Sequence, residues 1–144
     1  MQKEEIDLRD RIKDFALRVL RMFSTLPKTA EAQVLGKQAL RSGTSVGANY
    51  REAYRGRSKA EFIAKCGDSL RELEATSYWL ELLVDAEIVG ADRLAPLRRE
   101  CDELTVLLPS AFSSPTSAQG ARLEPKASRR MPIKRAPRAS TAVF

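Results

Sequence analysis

The chain is 144 residues long, 43% hydrophobic and 31% charged, with 25 Lys and Arg against 19 Asp and Glu, which suits a single domain able to bury a core of its own. It contains no histidine, so the commonest general base and the commonest metal ligand are absent; Cys66 and Cys101 form no CxxC pair and fall in apolar helical stripes, as buried reduced thiols do. The charged start Met1-Gln2-Lys3-Glu4-Glu5 offers no apolar signal core and no run of about 18 apolar residues occurs, so a cytoplasmic protein with no membrane partner is expected.

The first element carries Leu8, Ile12, Phe15, Val19, Met22 and Leu26, alternating steps of four and three that mark one face of a helix. Pro27 stops it and suits the first turn of the next helix, expected from about Lys28 to about Arg55. Gly56-Arg57 breaks the chain again, and Ser58-Lys-Ala-Glu61 is a capping box that starts a third helix at Lys59. Its expected core stripe is Phe62, Cys66, Leu70, Leu73, Ser77, Leu80 and Val84, ending near Gly90. A fourth, shorter helix carries Leu94, Leu97, Cys101, Leu104 and Leu108, with Pro96 tolerable only near its start. No segment alternates as a strand does. The reading is an all-α, antiparallel up-down-up-down four-helix bundle over residues 1–109. From Ser110 to Phe144 the chain holds four of its seven prolines, many Ser and Ala, and scattered bases. It buries too little apolar surface to offset the entropy of ordering, so 110–144 is expected to be a basic disordered tail.

The net charge of +6 sits entirely in that tail, with seven bases and one acid; residues 1–109 hold 18 of each. The bundle itself is polarised. Residues 27–60 carry +5 and residues 61–109 carry −6.

The second helix unrolls into three stripes. Leu35, Ala39, Ser42, Val46, Asn49 and Ala53 are small and suit the bundle interior, where a buried Asn49 must find partners and can fix register. Gly36, Leu40, Gly43, Gly47, Tyr50 and Tyr54 form the second. Each helical glycine costs about 1 kcal/mol relative to Ala, and close approach of another helix, from the bundle or from a second subunit, would offset that. A phosphate loop is the weaker reading of Gly43-Thr-Ser-Val-Gly47, which follows no strand and lacks the Walker lysine. The third stripe is Lys37, Arg41, Thr44, Ala48, Arg51 and Arg55, continued by Arg57 and Lys59, with Glu52 the one acid between residues 32 and 60. Such a stripe is the electrostatic footprint of nucleic-acid contact, and equally of a solvated face or of pairing with acids of a neighbouring subunit. Arg129, Arg130, Lys134 and Arg135 offer a second, tail-borne set of phosphate contacts.

The third helix carries Glu61, Asp68, Glu72, Glu74, Glu81, Asp85 and Glu87. Di-iron bundles pair such acids with Glu-x-x-His motifs, which a histidine-free chain cannot supply. No catalytic residue, metal site or cofactor is expected.

Four stretches together carry a resemblance: Leu26-Pro27-Lys28, QALRSGTSVGANYREA from Gln38 to Ala53, SKAEFI from Ser58 to Ile63, and YWLELL from Tyr78 to Leu83. Over about residues 8–108 the chain resembles the bacterial four helix bundle protein family, whose members include proteins encoded in intervening sequences of the 23S ribosomal RNA gene. The resemblance implies an antiparallel bundle assembled as a homopentameric ring. The family is similar to the accessory variability determinant proteins of diversity-generating retroelements, basic pentamers that bind nucleic acid and a reverse transcriptase. Arg41, Asn49, Arg51 and Glu52 match the family's pattern, which brings no catalytic role with it.

The function expected is therefore that of a non-enzymatic homo-oligomer that binds RNA or DNA, with a reverse transcriptase or another protein as a further partner. The alternative is a purely protein-binding scaffold in which the bases of the second helix pair with acids of a neighbouring subunit.

Overall fold

A computed structural model of the chain describes residues 2–113 and 143–144. Four helices follow one another: α1 (Gln2–Ser24), α2 (Ala30–Ala53), α3 (Lys59–Asp85) and α4 (Ala91–Leu107), the last running into a 3₁₀ segment, Leu108–Ser113. Of the tail expected to be disordered from residue 110, residues 110–113 instead complete the 3₁₀ segment and Phe144 is buried against the bundle; residues 114–142, with the bases Arg129, Arg130, Lys134 and Arg135, lie outside the described residues.

Side-chain pairs fix the topology. Glycines 36, 43 and 47 of α2 lie against Phe23, Val19 and Ile12 of α1, in descending order, with Leu26 of the connection also beside Gly36. Ser42 meets Thr76 and Val46 meets Ser69 across α2 and α3. The thiol of Cys101 donates to the Leu73 carbonyl of α3 at 3.5 Å. Arg11 of α1 grips Glu100 and Glu103 of α4, reaching Glu103 at 2.7 Å. Each neighbour therefore runs antiparallel to the last, and α1 and α4 close the bundle. The carboxylates of Glu100 and Glu103 push the Arg11 guanidinium pKa above its ordinary value, the Glu100 hydrogen bond contributing most.

The core is the one that the spacing of α1 and α4 predicts. Ile12, Phe15, Val19 and Met22 are at most 1% exposed, as are Leu94, Leu97, Cys101, Leu104 and Leu108. On α3 the stripe is rotated from its expected position. Ser69, Thr76 and Leu83 are buried where Leu70, Ser77 and Val84 were expected to be, and these three are half-buried. The cause is α2, whose small first stripe draws α3 into the most extensive seam of the bundle. The two hydroxyls stay satisfied there: Ser69 donates to the Val46 carbonyl at 2.6 Å, and Thr76 to Ser42 at 2.7 Å.

Helix ends also differ from the sequence reading. Pro27 and Lys28 stay in the connection, because Thr29 caps α2 by accepting the Ala32 N–H at 3.4 Å. Ser58 caps α3 as expected, accepting the Glu61 N–H at 3.1 Å, while the Glu61 carboxylate reaches back to the Arg57 N–H at 2.7 Å. Helix α3 stops five residues before Gly90. Glu87 adopts φ 58°, and the N–H groups of Glu87 and Ile88 return to the carbonyls of Val84 and Leu83 at 2.9 and 3.0 Å. This is a Schellman ending with a glutamate where glycine is usual.

Candidate nucleic-acid interface

Helix α2 turns its third stripe outward. Lys37, Arg41, Thr44, Ala48 and Arg51 are all exposed, and so are Arg55 and Arg57 in the turn beyond and Lys59 at the start of α3. At 1.5 Å per residue the stripe from residue 37 to 55 spans about 27 Å. The two basic pairs, 37/41 and 51/55, stand one helical turn apart within each pair and are separated by small Thr44 and Ala48.

Neutralisation of the stripe is partial. Arg41 lies 3.6 Å from Glu72 of α3, yet its side chain keeps 60% of its surface exposed. Glu52 bonds Lys65 at 2.8 Å, and that bond raises the lysine's pKa above its ordinary value. Glu61 is held at the Arg57 N–H by the cap. Among the described residues, Lys37, Arg51 and Arg55 reach no carboxylate.

Asn49 is half-buried, not sealed in the core, and helps to line a shallow depression of about 390 Å³ between α2 and α3 with Arg41, Asp68, Arg71 and Glu72. Gly36, Gly43 and Gly47 face α1 of the same chain. A Cβ on Gly43 would stand 3.0 Å from Val19 Cγ1, and one on Gly47 3.2 Å from Ile12 Cγ2. Tyr50 is 1% exposed; its hydroxyl meets that of Tyr54 at 2.7 Å, and the Tyr54 ring packs edge-on to Phe62. Arg9 of α1 lies over the Tyr54 ring at 5.8 Å. The second stripe thus packs against the chain's own α1 and the start of α3, and the basic stripe faces solvent.

Sequence reasoning missed Phe144, buried on the bundle between Arg18 and Arg93. A lone aromatic beyond a proline-rich stretch has no periodicity to betray it.

Burial pushes the thiols up, Cys66 to about 11 and Cys101 to about 12, which leaves both protonated and unreactive near neutrality. Among the described residues no three thiol or carboxylate side chains converge as a metal site requires, and no helix is long and apolar enough to cross a membrane.

A histidine-free antiparallel four-helix bundle with one solvent-facing basic helix is the class of protein that fold and site define. Residues 4–110 match the 23S rRNA-intervening sequence protein family, and the chain belongs to it. A protein of unknown function from the S23 ribosomal protein family of Bacteroides thetaiotaomicron has a similar structure, with a TM-score of 0.69 and 37% identity. The alignment covers 73% of this chain and 97% of that one. No curated protein matches the chain.

Proposed function

We propose that this chain is a non-enzymatic accessory factor that assembles as a homo-oligomer, a pentamer by its family resemblance, and binds nucleic acid through the basic face of α2 and the bases of residues 110–144. The observation that carries this reading is the acid-poor line of Lys37, Arg41 and Arg51, exposed along one side of α2 and continued by Arg55 in the turn beyond. A ring would repeat the stripe in every subunit, and the basic residues beyond 110 would add to it. The family's tie to 23S rRNA intervening sequences makes RNA the first probe.

Phosphate contacts release counterions, so affinity must fall steeply with salt. Fluorescence anisotropy of labelled RNA and duplex DNA against the full chain, from low to moderate salt, measures the slope. Arg51→Glu/Arg55→Glu removes two contacts and lowers the slope by about 1.4 for a single strand and about 1.8 for B-DNA. Absence of binding at low salt rules the reading out.

The charge division supports the protein-scaffold alternative. Glu74, Glu81 and Asp85 are exposed on α3, opposite in sign to the α2 stripe, and a neighbour's α2 could pair with them. Light scattering on the same double variant separates the two readings. An intact oligomer that has lost RNA favours nucleic-acid binding, whereas a dissociated one favours the scaffold.

A further inference from the structure

Phe144 lies 31 residues beyond Ser113, the end of the last helical segment, yet it is only 7% exposed, while its neighbour Val143 is 63% exposed. Its side chain joins the main apolar cluster, to which α1 and α4 contribute. Three directional contacts hold it. Its N–H donates to the Arg93 carbonyl of α4 at 2.8 Å. Its own carbonyl accepts from the Arg18 guanidinium of α1 at 2.8 Å. The Arg93 guanidinium lies over the ring at 5.1 Å from its centre.

The Phe144 N–H reaches the first turn of α4. Arg18 and Arg93 project from antiparallel helices toward one point, one reading the backbone carbonyl and the other the π-face. The combination selects a peptide residue with an aromatic side chain: apolar neighbours, donor, acceptor and cation each have a counterpart. Arg18 and Arg93 lie within the family-matched region, which ends at residue 110, and Phe144 lies beyond it.

We propose that the seam of α1 and α4 at Arg18 and Arg93 is a peptide-docking site for a phenylalanine-bearing segment, and that Phe144 occupies it in cis as an exchangeable latch. A tethered segment acts at an effective concentration up to the millimolar range, so a free peptide of the same sequence competes poorly with it and binds readily once Phe144 is removed.

The test is a TROSY titration of the full chain and of Phe144→Ala with the hexapeptide Ala-Ser-Thr-Ala-Val-Phe, the sequence of residues 139–144. The substitution is expected to shift the backbone amides of Arg18, Arg93 and Leu94. The peptide is expected to return them toward their original positions, while the intact chain requires at least tenfold more peptide. A control peptide with Ala in place of Phe should do nothing. The proposal is overturned if Phe144→Ala leaves those amides unmoved, if intact chain and variant respond alike, or if the two peptides act alike. None of these readouts involves nucleic acid, so the latch and the proposed function stand or fall separately.

Discussion

The hydroxyls of Ser42 and Thr76 meet at 2.7 Å in the middle of the α2–α3 seam, both side chains fully buried. Thr76 can donate to Ser42 or to the Glu72 carbonyl at 2.8 Å, and Ser42 donates its own hydroxyl hydrogen bond to the Gln38 carbonyl at 2.9 Å. The pair links the two helices side chain to side chain. Ser42→Ala and Thr76→Val are each expected to destabilise the bundle by about 1 kcal/mol, the net worth of a buried hydrogen bond. The double variant removes one shared interaction and should cost at least about 0.5 kcal/mol less than the sum of the two. Urea unfolding of the four proteins measures the coupling; strictly additive losses would mean that the hydroxyls act independently.

Gly43 sets how closely α1 approaches α2. An alanine there gains about 1 kcal/mol of helix propensity, but its Cβ would stand 3.0, 3.1 and 3.3 Å from Cγ1, Cγ2 and Cβ of Val19. Val19 is fully buried and β-branched, so it has no alternative rotamer to retreat into. Overpacking of this kind costs about 1–3 kcal/mol, and Gly43→Ala is expected to be net destabilising by about 1 kcal/mol. Val19→Ala makes room. In that background the same glycine substitution should become neutral or stabilising in thermal melts; a loss of unchanged size would place the strain somewhere other than Val19.

These two seams mark what the sequence could and could not reveal. The core positions of α1 and α4 are legible because their apolar residues repeat at threes and fours against polar neighbours. The outward basic stripe is legible for the same reason, its positions recurring at threes and fours. On α3 the apolar pattern misleads. Leu70 and Val84 look like core residues and Ser69 and Thr76 do not, but the hydroxyls find acceptors on α2 and its small side chains admit them. Burial there follows partner geometry that only the neighbouring helix specifies. Phe144 is the extreme case, its site being assembled from Arg18 and Arg93, 75 residues apart in the sequence.

Cys66 and Cys101 make the bundle sensitive to alkali. Unfolded, each thiol ionises near 9.0; folded, burial holds Cys66 neutral to about 11 and Cys101 to about 12. Below pH 9 both states are protonated and the thiols' contribution is fully present. As pH rises from 9 to about 11, the unfolded chain loses protons that the folded chain keeps, so stability falls. Measured against Cys66→Ala/Cys101→Ala, which corrects for lysine and tyrosine titration, the native chain should lose stability progressively across that window. Equal pH profiles would show that the thiols are not shielded. Ellman's reagent at pH 8 should likewise react at least a hundredfold more slowly with folded than with urea-unfolded protein.

Glu87 ends α3 in the left-handed region, at φ 58°, with an exposed side chain. Both Schellman hydrogen bonds are in place around it, to Val84 and Leu83. The conformation is thus required by the turn and disfavoured by the residue. A non-glycine side chain in this region costs roughly 1 kcal/mol, through contact between Cβ and the following carbonyl. Glu87→Gly removes that contact and also enlarges the unfolded ensemble, an opposing effect of about 0.4–1 kcal/mol. Glu87→Asn keeps a side chain but tolerates left-handed backbone, so it is expected to gain a few tenths of a kcal/mol without the entropic offset. Glu87→Ala keeps the strain and is expected to gain nothing. The order Asn, then Gly, above Ala and the native Glu in urea midpoint is the signature of backbone strain at this site. If Ala stabilised as much as Asn, the cause would lie in the glutamate's charge beside the helix C-terminus, and the backbone would be relaxed.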